Sequence, residues 1–192
     1  MSKGRKAILA AGAVGTLAVA VGIAMIARRG LSAKDAPTAL EAWTARSMRH
    51  LAVPSTARQL RNPVPLTATA LAEARAHFAD HCASCHGNDG KGTTALGQNL
   101  YPKAPDMTGP ATQGLTDGEI FYTITNGIRL TGMPAWGEGT AEDNAQTWKL
   151  VHLIRHLHEM TPEQIDEMKG MNPRTRAELD QQEKERRFLE GQ

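Results

Sequence analysis

Two thiols and two imidazoles fall together in the run His81-Cys82-Ala83-Ser84-Cys85-His86-Gly87. Cys82 and Cys85 stand two residues apart and His86 follows directly, the C-x-x-C-H pattern of haem attachment. The spacing serves that chemistry. Thiols one helical turn apart can add to the two vinyl groups of one porphyrin, and the adjacent imidazole then lies under the ring, where it can bind iron. Other readings need residues the sequence does not supply. Zinc requires two further ligands at finger spacing, and the nearest pair, His152 and His156, is too far along the chain. A thioredoxin-like redox pair belongs to a strand–helix unit, and no β-rich run precedes Cys82. A structural disulfide would leave His86 without a role.

From about Thr67 to Met160 the sequence resembles the monohaem class I c-type cytochromes. The resemblance implies one covalently attached haem c, held by Cys82 and Cys85, with His86 as one metal ligand. The sixth iron position is then either filled by the protein or left for a substrate. Five methionines follow His86, namely Met107, Met133, Met160, Met168 and Met171. Met133 lies in Gly132-Met133-Pro134, which matches the family's distal-ligand motif, and the flanking Gly and Pro keep it out of a helix. The resemblance thus implies Met133 as the second metal ligand. Thioether coordination raises the potential and blocks the position a substrate would need. The implied role is an electron carrier, not an enzyme, with no catalytic residue and no small-molecule substrate.

Other family positions follow. Ala74 and Phe78 stand eight and four residues before Cys82, where relatives cross their N- and C-terminal helices. Trp148 to Leu157 resembles the closing helix, with Leu153 where relatives usually carry an aromatic. Met107 falls where relatives have a non-ligating apolar residue and is assigned to the core. Gly97 to Pro102 resembles a haem-edge loop in which a proline carbonyl often orients the proximal histidine. Gln98 occupies that place, so another backbone carbonyl is expected to fix the ring. Arg129 is a candidate partner for a haem propionate. His152, His156 and His158 are expected to face solvent.

The elements that must position these residues are helical. Thr67 or Thr69 can cap a helix whose apolar positions 71, 74 and 78 lead to Cys82. Gly87 to Gly92 is turn-rich, but no strand and no Gly-Lys-Ser/Thr accompanies it, so phosphate binding is a poor reading. Thr116 to Glu119 is a capping box for a helix ending near Gly127. Asp143 or Asn144 can open the last helix, whose apolar residues fall mostly on one face. The expected fold is all-α: a class I cytochrome c-like haem domain of three to five short helices over 67–160, with one N-terminal transmembrane helix.

That helix is read from Ala7 to Ala27, 21 consecutive uncharged residues, enough at 1.5 Å each to cross about 30 Å of hydrocarbon. A cleaved signal peptide is the alternative, with Ala18-Val19-Ala20 as the site, but its apolar region normally ends sooner. The unbroken run past Ala20 favours an anchor. Small residues at Ala11/Gly15 and Ala18/Gly22 offer a weak helix-packing face. Residues 1–27 are then a cytoplasmic stub and anchor, 28–66 a tether, and 161–192 a charged helical or disordered tail. Within the tether, Pro37 with Leu40, Trp43 and Leu51 indicates a short amphipathic helix, Trp43 being expected to pack on the haem domain. Three prolines favour an extended arm over Val53 to Pro65.

The net charge of +2 is unevenly spread, at +5 over 28–66, −4 over 67–160 and −2 from 161 onward. A basic arm beside an acidic domain is not a nucleic-acid pattern. It suits an arm near anionic headgroups of a lipid bilayer and an acidic carrier meeting a basic redox partner. Haem of the c type implies assembly outside an energy-conserving membrane, hence a single-pass inner-membrane protein with its haem domain on the periplasmic side. The expected function is carrying single electrons between respiratory or photosynthetic complexes. The alternatives are a fixed haem subunit of a larger membrane oxidoreductase, or a haem enzyme or gas sensor.

Overall fold

Residues 2–30 and 32–190 are described by a computed structural model. Met1, Gly191 and Gln192, at the ends of the expected stub and tail, and Leu31 in the expected tether lie outside the described residues. The chain divides into two units, Met1–Asp35 and Ala36–Gln192.

The first unit is one helix, α1 (Lys3–Arg29), about 40 Å long at 1.5 Å per residue. By length and composition it can cross a membrane, and its apolar window buries nothing. It begins a turn before the uncharged run because Lys and Arg are good helix formers.

The second unit is all-helical among the described residues. In chain order it holds α2 (Ala39–Ala52), α3 (Ser55–Arg58), α4 (Ala68–His77), a π-helical turn (Phe78–Cys82) and α5 (Ala83–His86). There follow α6 (Ala95–Gln98), α7 (Pro110–Gln113), α8 (Asp117–Asn126), α9 (Ala141–His156) with a 3-10 turn (Leu157–Glu159), α10 (Pro162–Lys169) and α11 (Arg176–Leu189). Threonine caps start most of them. Thr67 Oγ1 accepts from Ala70 N at 3.0 Å, and Thr116 and Thr161 form capping boxes with Glu119 and Gln164. The last long helix starts earlier than expected, because Thr140, not Asp143 or Asn144, supplies the cap.

The core forms where α4 packs against α9. Ala74, Phe78, Leu153 and Val151 are buried there, so a small residue admits the crossing and Leu153 fills the place of the family's aromatic. Met107, Ile120, Ile124 and Trp148 complete it, and Phe121 stacks on Trp148 at 4.2 Å between centroids. Arg155 ties α9 to the α7–α8 connection. It pairs with Asp117 at 2.9 Å and donates to the carbonyls of Gln113 and Leu115.

Four expectations fail on burial. Trp43 does not pack on the haem domain: α2 buries no residue and Trp43 is exposed. The Val53–Pro65 arm is not extended throughout, since Ser55–Arg58 forms a turn whose Ala57 is buried against α8. A Cβ on Gly118 would stand 1.9 Å from the Ala57 carbonyl oxygen, so only glycine permits this approach. His152 does not face solvent freely, for its Nε2 meets the Val64 carbonyl at 2.7 Å and His156 is half-buried as well. Met168, in the expected tail, is 0% exposed and belongs to the core with Ala79 and Phe78.

Candidate functional site

The helix that starts at α4 carries the cysteine run on its far end. It widens to π geometry over Phe78–Cys82 and closes as α5 through His86; such single π turns often mark functional positions. Phe78, Ala79 and Ala83 are buried, which fixes the stretch to the core, while Cys82, Cys85 and His86 stay partly exposed. Both thiols are free. The Cys82 thiol is pushed up to about 12, by burial first and by the neighbouring Cys85 second. It is therefore a neutral thiol at ordinary pH.

His86 has its imidazole pKa held below the usual value, because burial disfavours the cation more than the Pro105 backbone favours it. The ring is neutral at pH 7, the form in which imidazole binds metals. Its Nδ1 is buried without a hydrogen bond of normal geometry. The backbone group acting on it belongs to Pro105, not to the 97–102 loop. Two bonds fold the chain back to bring Pro105 there: Gly92 N to His86 O at 2.7 Å and Met107 N to Gly90 O at 2.8 Å. An Ala-Pro-Asp sequence just before a buried methionine was the available signal.

α6 is the piece that couples the cysteines to the Met133 loop. Its cap, Thr94, donates to the carbonyls of Ser84 and Cys85, each at 2.9 Å, satisfying acceptors at the end of α5. A Cβ on Gly97 would lie 2.1 Å from Cys85 O and 2.9 Å from Gly92 O. On the other side, Leu100 packs on Gly132, where a Cβ would be 2.7 Å from Leu100 Cδ2.

The Met133 loop is braced locally. Met133 N donates to Thr131 Oγ1 at 3.1 Å, and Met133 O accepts from Ile128 N at 3.1 Å. Leu130 takes φ 63°, a left-handed conformation uncommon for a bulky residue. Past the proline, Trp136 N donates to Ile124 O at 3.1 Å. The Trp136 ring meets His81 edge-on at 5.3 Å, and His81 meets His77 at 4.8 Å. Met133 itself is half-buried, and Arg129 is exposed. The loop is thus held against both flanks of the cysteine stretch, through Leu100 and through His81.

A cleft of about 400 Å³ opens beside Cys82, lined by Ile124, Trp136, Thr147 and Leu150 within and by Glu138, Glu142 and Asp143 at the rim. Thr125 Oγ1 and Arg75 Nε are buried without partners, polar atoms whose burial is costly unless something bonds them. Nothing in the sequence pattern marked either. Two free thiols one turn apart, with a neutral imidazole directly after the second and a cleft opening beside the first, are a donor set that fits a porphyrin.

Residues 69–154 match a family described as cytochrome C oxidase, cbb3-type, subunit III. No curated protein matches the chain.

Proposed function

We propose, from the premise that residues 69–154 are a class I c-type cytochrome domain that carries electrons on haem, that this chain is a membrane-anchored carrier holding one haem c between His86 and Met133. The observation that supports this reading is the bracing of the Met133 loop on both flanks of the Cys82–His86 stretch, through Gly132 on Leu100 and Trp136 on His81. When bound, the group supplies a one-electron Fe(III)/Fe(II) couple.

The chain's residues have separate tasks. Cys82 and Cys85 form the two thioether attachments. His86 would offer a neutral ring, oriented from the Pro105 side, and Met133 would supply a thioether as the second iron ligand. Ile124, Trp136 and Leu150 would give the group its apolar contacts in the cleft. Ligands mounted on a packed helix and a braced loop change position little between charge states, which keeps reorganisation small. The acidic rim of Glu138, Glu142 and Asp143 faces a basic redox partner. The folded domain extends from about Val53 to Asn172, beyond the 67–160 of the sequence reading, because Val53, Ala57 and Met168 are buried. α1 is a retained single span, with the haem domain on the periplasmic side.

The test is Met133→Ala, made in a host that installs c-type haem. The variant should lose the weak far-red band of thioether-ligated ferric haem, show a lower potential and bind carbon monoxide. Retention of that band would overturn the assignment. A second reading, a fixed haem subunit of a membrane oxidoreductase, is favoured by the matched family's description as an oxidase subunit. Purification in mild detergent separates the two: a carrier elutes alone, a subunit at constant stoichiometry with its partners.

A further inference from the structure

α2 is a well-formed helix with an uncovered apolar face. Thr38 and Glu41 close its start with a capping box, Thr38 N donating to Glu41 Oε2 at 2.7 Å. Leu40, Trp43, Met48 and Leu51 are between 62% and 78% exposed. At 100° per residue these four fall within an arc of roughly 140°, with Arg49 opposite Leu40 and Arg46 on the remaining face. A helix of this length is marginal in water by itself, so its apolar stripe calls for an occupant.

The chain says which. Nine residues, 30–38, separate α1 from α2. Fully extended they reach about 30 Å, so α2 stays near the point where a span would emerge. The nearby charge is basic, with Arg28, Lys34, Arg46 and Arg49 outnumbering Asp35 and Glu41. A tryptophan in the second turn and arginines away from the apolar stripe are the composition of a helix lying in a membrane interface.

The other end of α2 is fastened to the haem domain. His50 Nδ1 lies 3.3 Å from Glu119 Oε1 on α8, and Arg58 Nε lies 4.0 Å from the same oxygen. Arg58 also donates to the carbonyls of His50 at 2.6 Å and Val53 at 2.8 Å. Val53 and Ala57 are buried beyond it. Whatever holds α2 therefore orients the domain.

We propose that α2 lies in the interfacial plane of an anionic bilayer, with Leu40, Trp43, Met48 and Leu51 below the headgroups and Arg46 and Arg49 among the phosphates, setting the orientation of the haem domain over the membrane. The proposal rests on reading α1 as a retained span. It replaces a loose 28–66 tether with a helix fastened to the domain at its C-terminal end.

The test uses the full-length holoprotein in nanodiscs of phosphatidylglycerol and phosphatidylcholine doped with a diazirine phospholipid, with labelled peptides mapped by mass spectrometry. Label is expected on residues 7–27 and on residues 39–52. In a Leu40→Ser/Leu51→Ser variant with an unchanged haem spectrum, label on 39–52 should fall roughly fivefold or more. In discs of phosphatidylcholine alone, label on 39–52 should also fall. A labelled span with α2 unlabelled overturns the inference and leaves the anchor standing. Label on neither shows that the anchor reading has failed and takes the inference with it. Equal labelling of the serine variant, equal labelling without anionic lipid, or crosslinks from α2 to protein instead of lipid would each overturn it.

Discussion

Gly97 lies so close to Cys85 that a Cβ there would stand 2.1 Å from the Cys85 carbonyl oxygen. The crowding atoms include two backbone oxygens, so no side-chain rotation relieves it. Gly97→Ala must push α6 away from the cysteine stretch and, through Leu100, disturb the Met133 loop. The expected result is destabilisation of about 1–3 kcal/mol, the usual cost of overpacking, with a several-fold fall in haem per polypeptide. Pyridine-haemochrome quantitation and urea unfolding measure both; full haem loading at unchanged stability would contradict the packing.

The two thiols of the haem-free chain should differ in behaviour from ordinary surface cysteines. With the Cys82 thiol at about 12, roughly one group in ten thousand is ionised at pH 8, and alkylation requires the thiolate. Iodoacetamide should label Cys82 slowly in the folded chain and at the rate of a free cysteine in urea. Site-resolved mass spectrometry gives the comparison, and equal rates in both conditions would count against the buried, neutral thiol.

Acid should weaken the fold partly through His77. Its pKa is lowered from 6.5, chiefly by burial and then by His81, with Asp80 and Asp143 pulling the other way. The unfolded chain therefore takes up the proton first. This contribution to stability is present above the unfolded value of 6.5 and is lost as pH falls through it and then through the lower folded value. His77→Gln should flatten the decline in urea midpoint between about pH 7 and about pH 5, and an unchanged slope would remove His77 from the account.

Met168 offers a test of the domain's extent. It is 0% exposed and belongs to the same core cluster as Phe78 and Ala79. Asn172, two turns of chain away from α10's start, pairs its amide with the buried Asn88, at 2.9 Å and 3.0 Å in the orientation that satisfies both. Met168→Ala should cost about 2–5 kcal/mol, as for other buried large-to-small changes. Thermal melting of the holoprotein would show it, whereas a solvated tail would give no shift.

The contrast between what was legible and what was not follows the range of the interactions. Threonine caps, the Ala74/Phe78 crossing and the core place of Met107 are written in short spacings, and the structure has them. The Cys82–His86 stretch and the Gly132–Met133–Pro134 loop were likewise chosen on local pattern. Misplaced features depend on partners remote in sequence. Pro105 reaches His86 only because the 87–107 loop folds back on itself. His152 is fixed by Val64 and Ala57 by Gly118, and Met168 joins the core cluster that holds Phe78 and Ala79. Trp43 failed in the opposite sense: an amphipathic pattern specifies that a face will be covered, but not by what. Thr140 is masked in the sequence by Asp143, which accepts from Glu138 N at 2.9 Å and is itself a good capping residue one turn late.

The Ala57–Gly118 contact also bears on how a partner finds this protein. With Ala57 seated on α8, the unstructured chain between α1 and the domain shrinks from the 39 residues of an unstructured 28–66 segment to nine, followed by the helix α2. The contour available drops from about 130 Å to about 50 Å, with about 30 Å of link and about 20 Å of helix. On the proposed reading of α1 as a retained span, so short a link would confine the domain and raise its effective concentration for anything sharing that membrane. Partners in the same plane gain from that confinement, and those dissolved in the compartment beyond do not.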